Sequence, residues 1–191
     1  MNKAFLFLLL LLPTVVYSQH IDIEPSNDSK EYYFISANYG YQMSGIKNED
    51  FVSSNYSPLF NITAGKWFNQ YIALQIGYKG FYFNTIADKI KHHYNYFYSE
   101  AVININNFVN PDRLNRKWSL ILHGGPGYFY NHVYRKASLQ INLGIQNTFQ
   151  LSNHIHASLD ITSIVGSDIY QEDVDILPGI TVGFNYFFNS K

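Results

Sequence analysis

The sequence predicts an all-β fold, an eight-stranded antiparallel up-and-down transmembrane β-barrel, and three observations lead there. Eight stretches alternate apolar and polar residues with the two-residue period of a β-strand. Charged residues make up 14% of the 191-residue chain, against about 25% in ordinary soluble domains, so solvated surface is scarce. Aromatic residues reach 18% and gather at the ends of the alternating stretches, where a membrane barrel carries its girdles.

Residues 1–18 read as a secretory signal peptide. Lys3 supplies the positive end, residues 4–12 the apolar core, Pro13 breaks it, and Val16 and Ser18 are small enough for cleavage before Gln19. That core is too short for the ~20 apolar residues of a spanning helix, and no later run approaches that length. The chain contains no cysteine, which excludes both a disulfide framework and a lipid-modified N-terminal Cys. Residues 19–31 read as a flexible periplasmic leader and residues 32–191 as one barrel domain. A net charge of -1 without a Lys/Arg cluster excludes a nucleic-acid partner.

The strands follow in order. Over residues 33–43, Tyr33, Ile35, Ala37, Tyr39 and Tyr41 form an apolar face opposite Phe34, Ser36, Asn38, Gly40 and Gln42. After a loop at 45–57, residues 59–65 set Phe60, Ile62 and Ala64 against Asn61, Thr63 and Gly65. A short turn at 66–70 leads to a third strand, 71–82, with Ile72, Leu74, Ile76 and Tyr78 opposite Gln75, Gly77 and Lys79. A loop at 83–93 precedes the fourth, 94–105, whose outward set is Phe97, Ala101, Ile103 and Ile105 and whose inward set is Tyr98, Glu100, Val102 and Asn104. The connection 106–117 contains the turn signal Asn110-Pro111-Asp112.

The fifth strand, 118–130, sends Trp118, Leu120, Leu122 and Tyr128 one way and Ser119, His123, Gly125 and Gly127 the other. Pro126 lies within it and lacks a ladder donor, which predicts an irregularity or bulge. The sixth, 138–151, is the clearest: Leu139, Ile141, Leu143, Ile145, Phe149 and Leu151, broken only by Asn147, oppose Gln140, Asn142, Gly144, Gln146, Thr148 and Gln150. The seventh, 155–165, sets Ile155, Ala157, Leu159, Ile161 and Val165 against His156, Ser158, Asp160 and Thr162. A polar loop at 166–177 precedes the last strand, 179–188, where Ile180, Val182, Phe184, Tyr186 and Phe188 alternate with Thr181, Gly183, Asn185 and Phe187.

A secreted sandwich or lipocalin-like barrel also alternates, with its apolar face turned inward, and periodicity alone does not say which face is which. Scarce charge and aromatic strand ends favour the membrane barrel. Tyr33, Trp67, Phe68, Tyr71, Trp118, Phe149 and Phe188 are expected at one interface and Tyr39, Tyr41, Tyr82, Tyr94 and Tyr128 at the other. In hydrocarbon an open sheet would leave edge amides unpaired, so closure follows.

Thr181, Gly183, Tyr186 and Phe188 have the spacing polar-x-Gly-x-x-aromatic-x-Phe, which resembles the C-terminal assembly signal of Gram-negative outer-membrane β-barrels. The run GKWFNQYIALQIGYKGF at 65–81, with the ordering of the strands, resembles the small outer-membrane β-barrel family related to the transmembrane domain of outer membrane protein A. The resemblance implies a cell outer-membrane location, a lipid surround, the barrel-assembly machinery as an insertion partner, and possible membership of a larger outer-membrane complex. The peptidoglycan-binding domain of some relatives is expected to be missing.

An eight-stranded barrel is just wide enough inside for side chains, so the inward row is expected to be a packed polar core. Lys79 with Glu100, and Asp160 with His123 or His156, are the pairs expected to neutralise each other there. His154-x-His156 places two rings on one strand face, but a third ligand is not visible, and neither a metal site nor a cofactor is expected. The sequons at Asn27, Asn55 and Asn61 are expected to carry no glycan. The function read from the sequence is a non-catalytic barrel with a structural, loop-presenting or accessory-subunit role. A narrow small-solute pore and a lipid-modifying enzyme are the alternatives.

Overall fold

The computed structural model describes residues 32–44, 55–84, 90–109, 117–169 and 174–189. The signal peptide, the leader and the turn Asn110-Pro111-Asp112 lie outside these residues. Eight strands, β1 (Tyr32–Met43), β2 (Tyr56–Trp67), β3 (Ile72–Asn84), β4 (Lys91–Asn104), β5 (Trp118–Asn131), β6 (Lys136–Gln150), β7 (Ile155–Ser167) and β8 (Val174–Asn189), form a closed barrel. Each pairs antiparallel with its sequence neighbours, and β8 returns to β1 with Phe188 opposite Tyr33 and Gly179 opposite Gln42. A five-residue helix, α1 (Ile105–Val109), follows β4.

The polarity of the two faces decides the kind of barrel. On β6, Leu143 is 54% exposed while Asn142 beside it is 0% exposed. The same inversion holds on β1, where Ile35 and Tyr39 are exposed and Ser36 and Asn38 are buried. Aliphatic and aromatic rows therefore cover the outside, and on these strands the polar rows turn inward. Water would not stabilise that exterior, whereas hydrocarbon does, and closure leaves no strand edge unpaired. The molecule is an up-and-down transmembrane β-barrel.

The strands run further than their alternation suggested. β3 continues to Asn84, β4 begins at Lys91 and β8 begins at Val174, so the loops expected at 83–93 and 166–177 are shorter. The reason is packing: Phe83, His92, Ile164 and Leu177 point into the barrel and are buried. Ile105, expected to end a strand, instead opens α1, where buried Asn107 donates from Nδ2 to the Gln70 carbonyl at 2.7 Å. Asn106 Oδ1 accepts from the Leu120 amide at 3.1 Å, which pins the helix to β5. Trp67 and Tyr94, expected in the girdles, are 7% and 1% exposed and face the interior.

Two local departures have clear causes. Phe81 adopts φ 115, which turns its ring outward against Phe60, with centroids 5.6 Å apart. At Pro126 the β4–β5 ladder runs from Tyr98 opposite Gly127 to Ala101 opposite Gly124, with the two positions between unpaired. The register is the same on both sides, so the irregularity is a missing donor rather than an inserted residue.

Candidate functional site: the barrel interior and the closing strand

The interior is built in three layers. Toward the end opposite the chain termini, Phe83, Tyr94, Tyr96, Tyr98, Phe129, Ile164, Ile169 and Leu177 form one buried cluster. Tyr94 stacks on Phe129 at 5.0 Å and Tyr96 on Tyr98 at 5.4 Å. Tyr94 donates its hydroxyl to Gln42 Oε1 at 2.7 Å, and Tyr98 donates to Asn61 Oδ1 at 2.5 Å, so the phenols are satisfied inside. At the other end Phe34, Trp67, Ala73, Val102 and Ile121 form a second cluster, with Tyr32 and Phe187 packed on it.

Between these apolar layers lies the charged one. His123 on β5 places Nδ1 3.0 Å from Glu100 Oε2 on β4 and Nε2 3.0 Å from Asp160 Oδ1 on β7. Glu100 also accepts from Gln75 Nε2 at 2.6 Å and from Asn142 Nδ2. Lys79 on β3 donates to Asn142 Oδ1 at 2.8 Å and to Thr162 Oγ1 at 2.7 Å. With the imidazole donating from both nitrogens, two positive and two negative groups share one hydrogen-bonded layer. Charge balance and full hydrogen bonding are what let ions stay away from water.

The expected pairings are met in part. Asp160 joins His123. Lys79 does not pair directly with Glu100: the β3–β4 register puts Gln75 opposite Glu100 and Lys79 opposite Tyr96, four residues along. Asn142 bridges the two instead. His156 faces inward but stays outside the network, because four residues of strand, roughly 13 Å, separate it from Asp160. Its ring packs on Phe187 at 4.5 Å. His154 lies with Nδ1 3.1 Å from the Phe187 carbonyl oxygen, so the two histidines engage the same residue through different groups. Asn61, part of a sequon, is 3% exposed inside the barrel.

The aromatic layer was missed as a unit in the sequence, although a signal was present. A Cβ added to Gly77 would strike the Tyr98 ring, one added to Gly127 the Tyr96 ring, and one added to Gly144 the His123 ring. Inward glycines are thus seats for large inward rings on neighbouring strands. In the closing strand, Thr181 is buried inside, Gly183 meets Asn38 at the β1–β8 seam, and Tyr186 and Phe188 face outward with their rings 4.9 Å apart.

No protein-family model matches the chain, and no curated protein sequence matches it. Solved structures do. Neisserial surface protein A aligns over 82% of this chain and 97% of its own, at 10% identity and a TM-score of 0.54. The outer membrane protein OprG of Pseudomonas aeruginosa aligns over 85% and 97%, at 8% identity and a TM-score of 0.54. The N-terminal β-barrel domain of Pseudomonas aeruginosa OprF aligns over 83% and 98%, at 12% identity and a TM-score of 0.50. The fold is that of the small eight-stranded outer-membrane β-barrels. The likeness spans nearly the whole length of those barrels, and the lipid-facing exterior of this chain accords with an integral outer-membrane protein.

Proposed function

We propose that this chain is a non-catalytic outer-membrane barrel that stabilises the envelope, presents its loops, or serves as an accessory subunit of a larger assembly. One observation carries the reading: inside the barrel, two buried apolar clusters flank a charge-balanced, hydrogen-bonded layer. Side chains spent on one another in this way argue against an open path for a solute. At His123 both nitrogens are taken by carboxylates, so this interior histidine is not free to activate a nucleophile.

The deciding experiment is planar-bilayer conductance of the full chain. The expected result is a folded, heat-modifiable barrel that gives no steady channel current, and a reproducible open level would return the pore reading to first place. The closing strand is assigned to recognition by the barrel-assembly machinery, with Thr181, Gly183, Tyr186 and Phe188 as the signal. Deleting Phe188 is expected to lower the amount of assembled protein in the outer membrane several-fold, read as the heat-shifted band after fractionation. Phe188 is 42% exposed on the lipid face, so its loss opens no cavity inside. Unchanged assembly of that variant would remove the signal from the account.

A further inference from the structure

Among the described residues the outer surface is mostly apolar, and at the end of the barrel away from the start of β1 it carries, at one corner, a cluster of polar and aromatic side chains. There Tyr82, Lys91, His93 and His132 come together on β3, β4 and the start of the turn after β5. Lys91 Nζ lies 4.8 Å from the Tyr82 ring centroid, and the Tyr82 and His93 rings are 5.7 Å apart. The His132 amide donates to the His93 carbonyl at 2.9 Å, which makes the two residues backbone neighbours at the end of the β4–β5 ladder. Below them, Tyr78 donates its hydroxyl to Asn95 Oδ1 at 2.8 Å, and Asn95 Nδ2 lies 2.8 Å from His132 Nε2. The His132 ring sits edge-on to Tyr130 at 4.9 Å, which holds it in place.

Depth and charge give this corner its meaning. One step further along the same strands, Phe97 and Tyr128 are 56% and 48% exposed and belong to the lipid belt. The corner therefore stands where hydrocarbon gives way to head groups, the level at which aromatic and long cationic side chains anchor. Lys91 makes no ion pair among the described residues, whereas Lys136 on the next hairpin is matched by Asp168 at 3.0 Å. No carboxylate stands on this outward face among the described residues.

We propose that this corner binds the phosphate of an anionic membrane lipid, with Lys91 supplying the charge, His93 and His132 the ring N–H donors, and Tyr82 orienting the ammonium. The proposal rests on the membrane-spanning reading, and its occupant is a lipid head group rather than a soluble anion. A compact ammonium held over an aromatic face at head-group depth suits a phosphate monoester or diester, and attraction of this kind falls off within a Debye length of the membrane surface.

The test uses the full chain folded into nanodiscs of mixed phosphatidylcholine and phosphatidylglycerol, with retained lipids counted by native mass spectrometry. Wild type is expected to hold phosphatidylglycerol in preference to phosphatidylcholine. Lys91→Gln is expected to weaken that preference about fivefold, the effect of one cation near a charged surface, and Lys91→Arg to restore it. Equal retention by wild type and Lys91→Gln overturns the proposal. So does loss of the preference when inorganic phosphate is added, which would assign the corner to a free anion. Heat-modifiability of each protein is read first: a wild type that does not shift would overturn the membrane-spanning reading itself, whereas a shifting barrel without lipid preference sinks only the head-group site.

Discussion

Replacing Glu100 by alanine is expected to destabilise the barrel by about 3–5 kcal/mol, the range for removing one partner from a buried ion pair. Glu100 is 1% exposed and is the hub of the interior layer. Its carboxylate takes hydrogen bonds from Gln75, Asn142 and His123, so its loss strands three donors and leaves the layer with an excess positive charge. Apolar clusters lie on both sides of the layer, so water is poorly placed to compensate. Urea-induced unfolding in lipid vesicles measures the effect. Glu100→Gln keeps an acceptor oxygen and is expected to cost less than alanine. Adding Lys79→Met to Glu100→Gln removes opposite charges together, and the pair is expected to cost less than the sum of its parts by about 0.5–3 kcal/mol. A Glu100→Ala loss within about 0.5 kcal/mol, the scale of an ordinary surface substitution, would show that the layer contributes no stability.

The division into two faces is legible because a strand has a strict period of two and most strands here oppose an apolar row to a largely polar one, while scarce charge and aromatic strand ends, not the alternation, point to the apolar row as the outer one. Leu139, Ile141, Leu143 and Ile145 had to share one side, and Gln140, Asn142 and Gly144 the other. Which residues meet across the interior is another matter. Lys79 reaches β6 and β7, contacts that depend on the stagger of the strands around the closed wall, and stagger leaves no mark on a single strand's alternation. The meeting of Asp160 with His123 has the same origin, whereas its separation from His156, four residues away on the same strand, can be counted in the sequence. Strand ends were obscured by chemistry that suits two places. An aromatic near a loop fits a girdle or an interior plug equally well, and Trp67 and Tyr94 took the plug because inward space at the barrel ends has to be filled. The extra length of β3, β4 and β8 follows from that filling, since Phe83, His92 and Leu177 carry their strands with them.

Gly183→Val is expected to abolish the heat-modifiable folded form. Gly183 lies opposite Asn38 where β8 closes against β1, and a Cβ there would come within 2.7 Å of the Asn38 Cα and closer still to the Ala37 carbonyl oxygen. Both are backbone atoms, so no side-chain rotation relieves the collision, and the two strands would have to part. Asn38 also accepts from Ser158 at 2.8 Å and donates to Ser36 at 3.0 Å, so displacing it disturbs the polar layer from a second direction. Parting the seam exposes unpaired amides and carbonyls to hydrocarbon, at several kcal/mol for each group, far beyond what one altered side chain costs in a soluble sheet. Val182→Leu is the control. Its side chain is 60% exposed to the lipid side, and the change is expected to leave the gel shift and the urea midpoint unaltered. A Gly183→Val protein that shifts on heating like wild type would mean that the seam yields without opening, and closure would then have to depend on the register of β8 rather than on the close approach at Gly183.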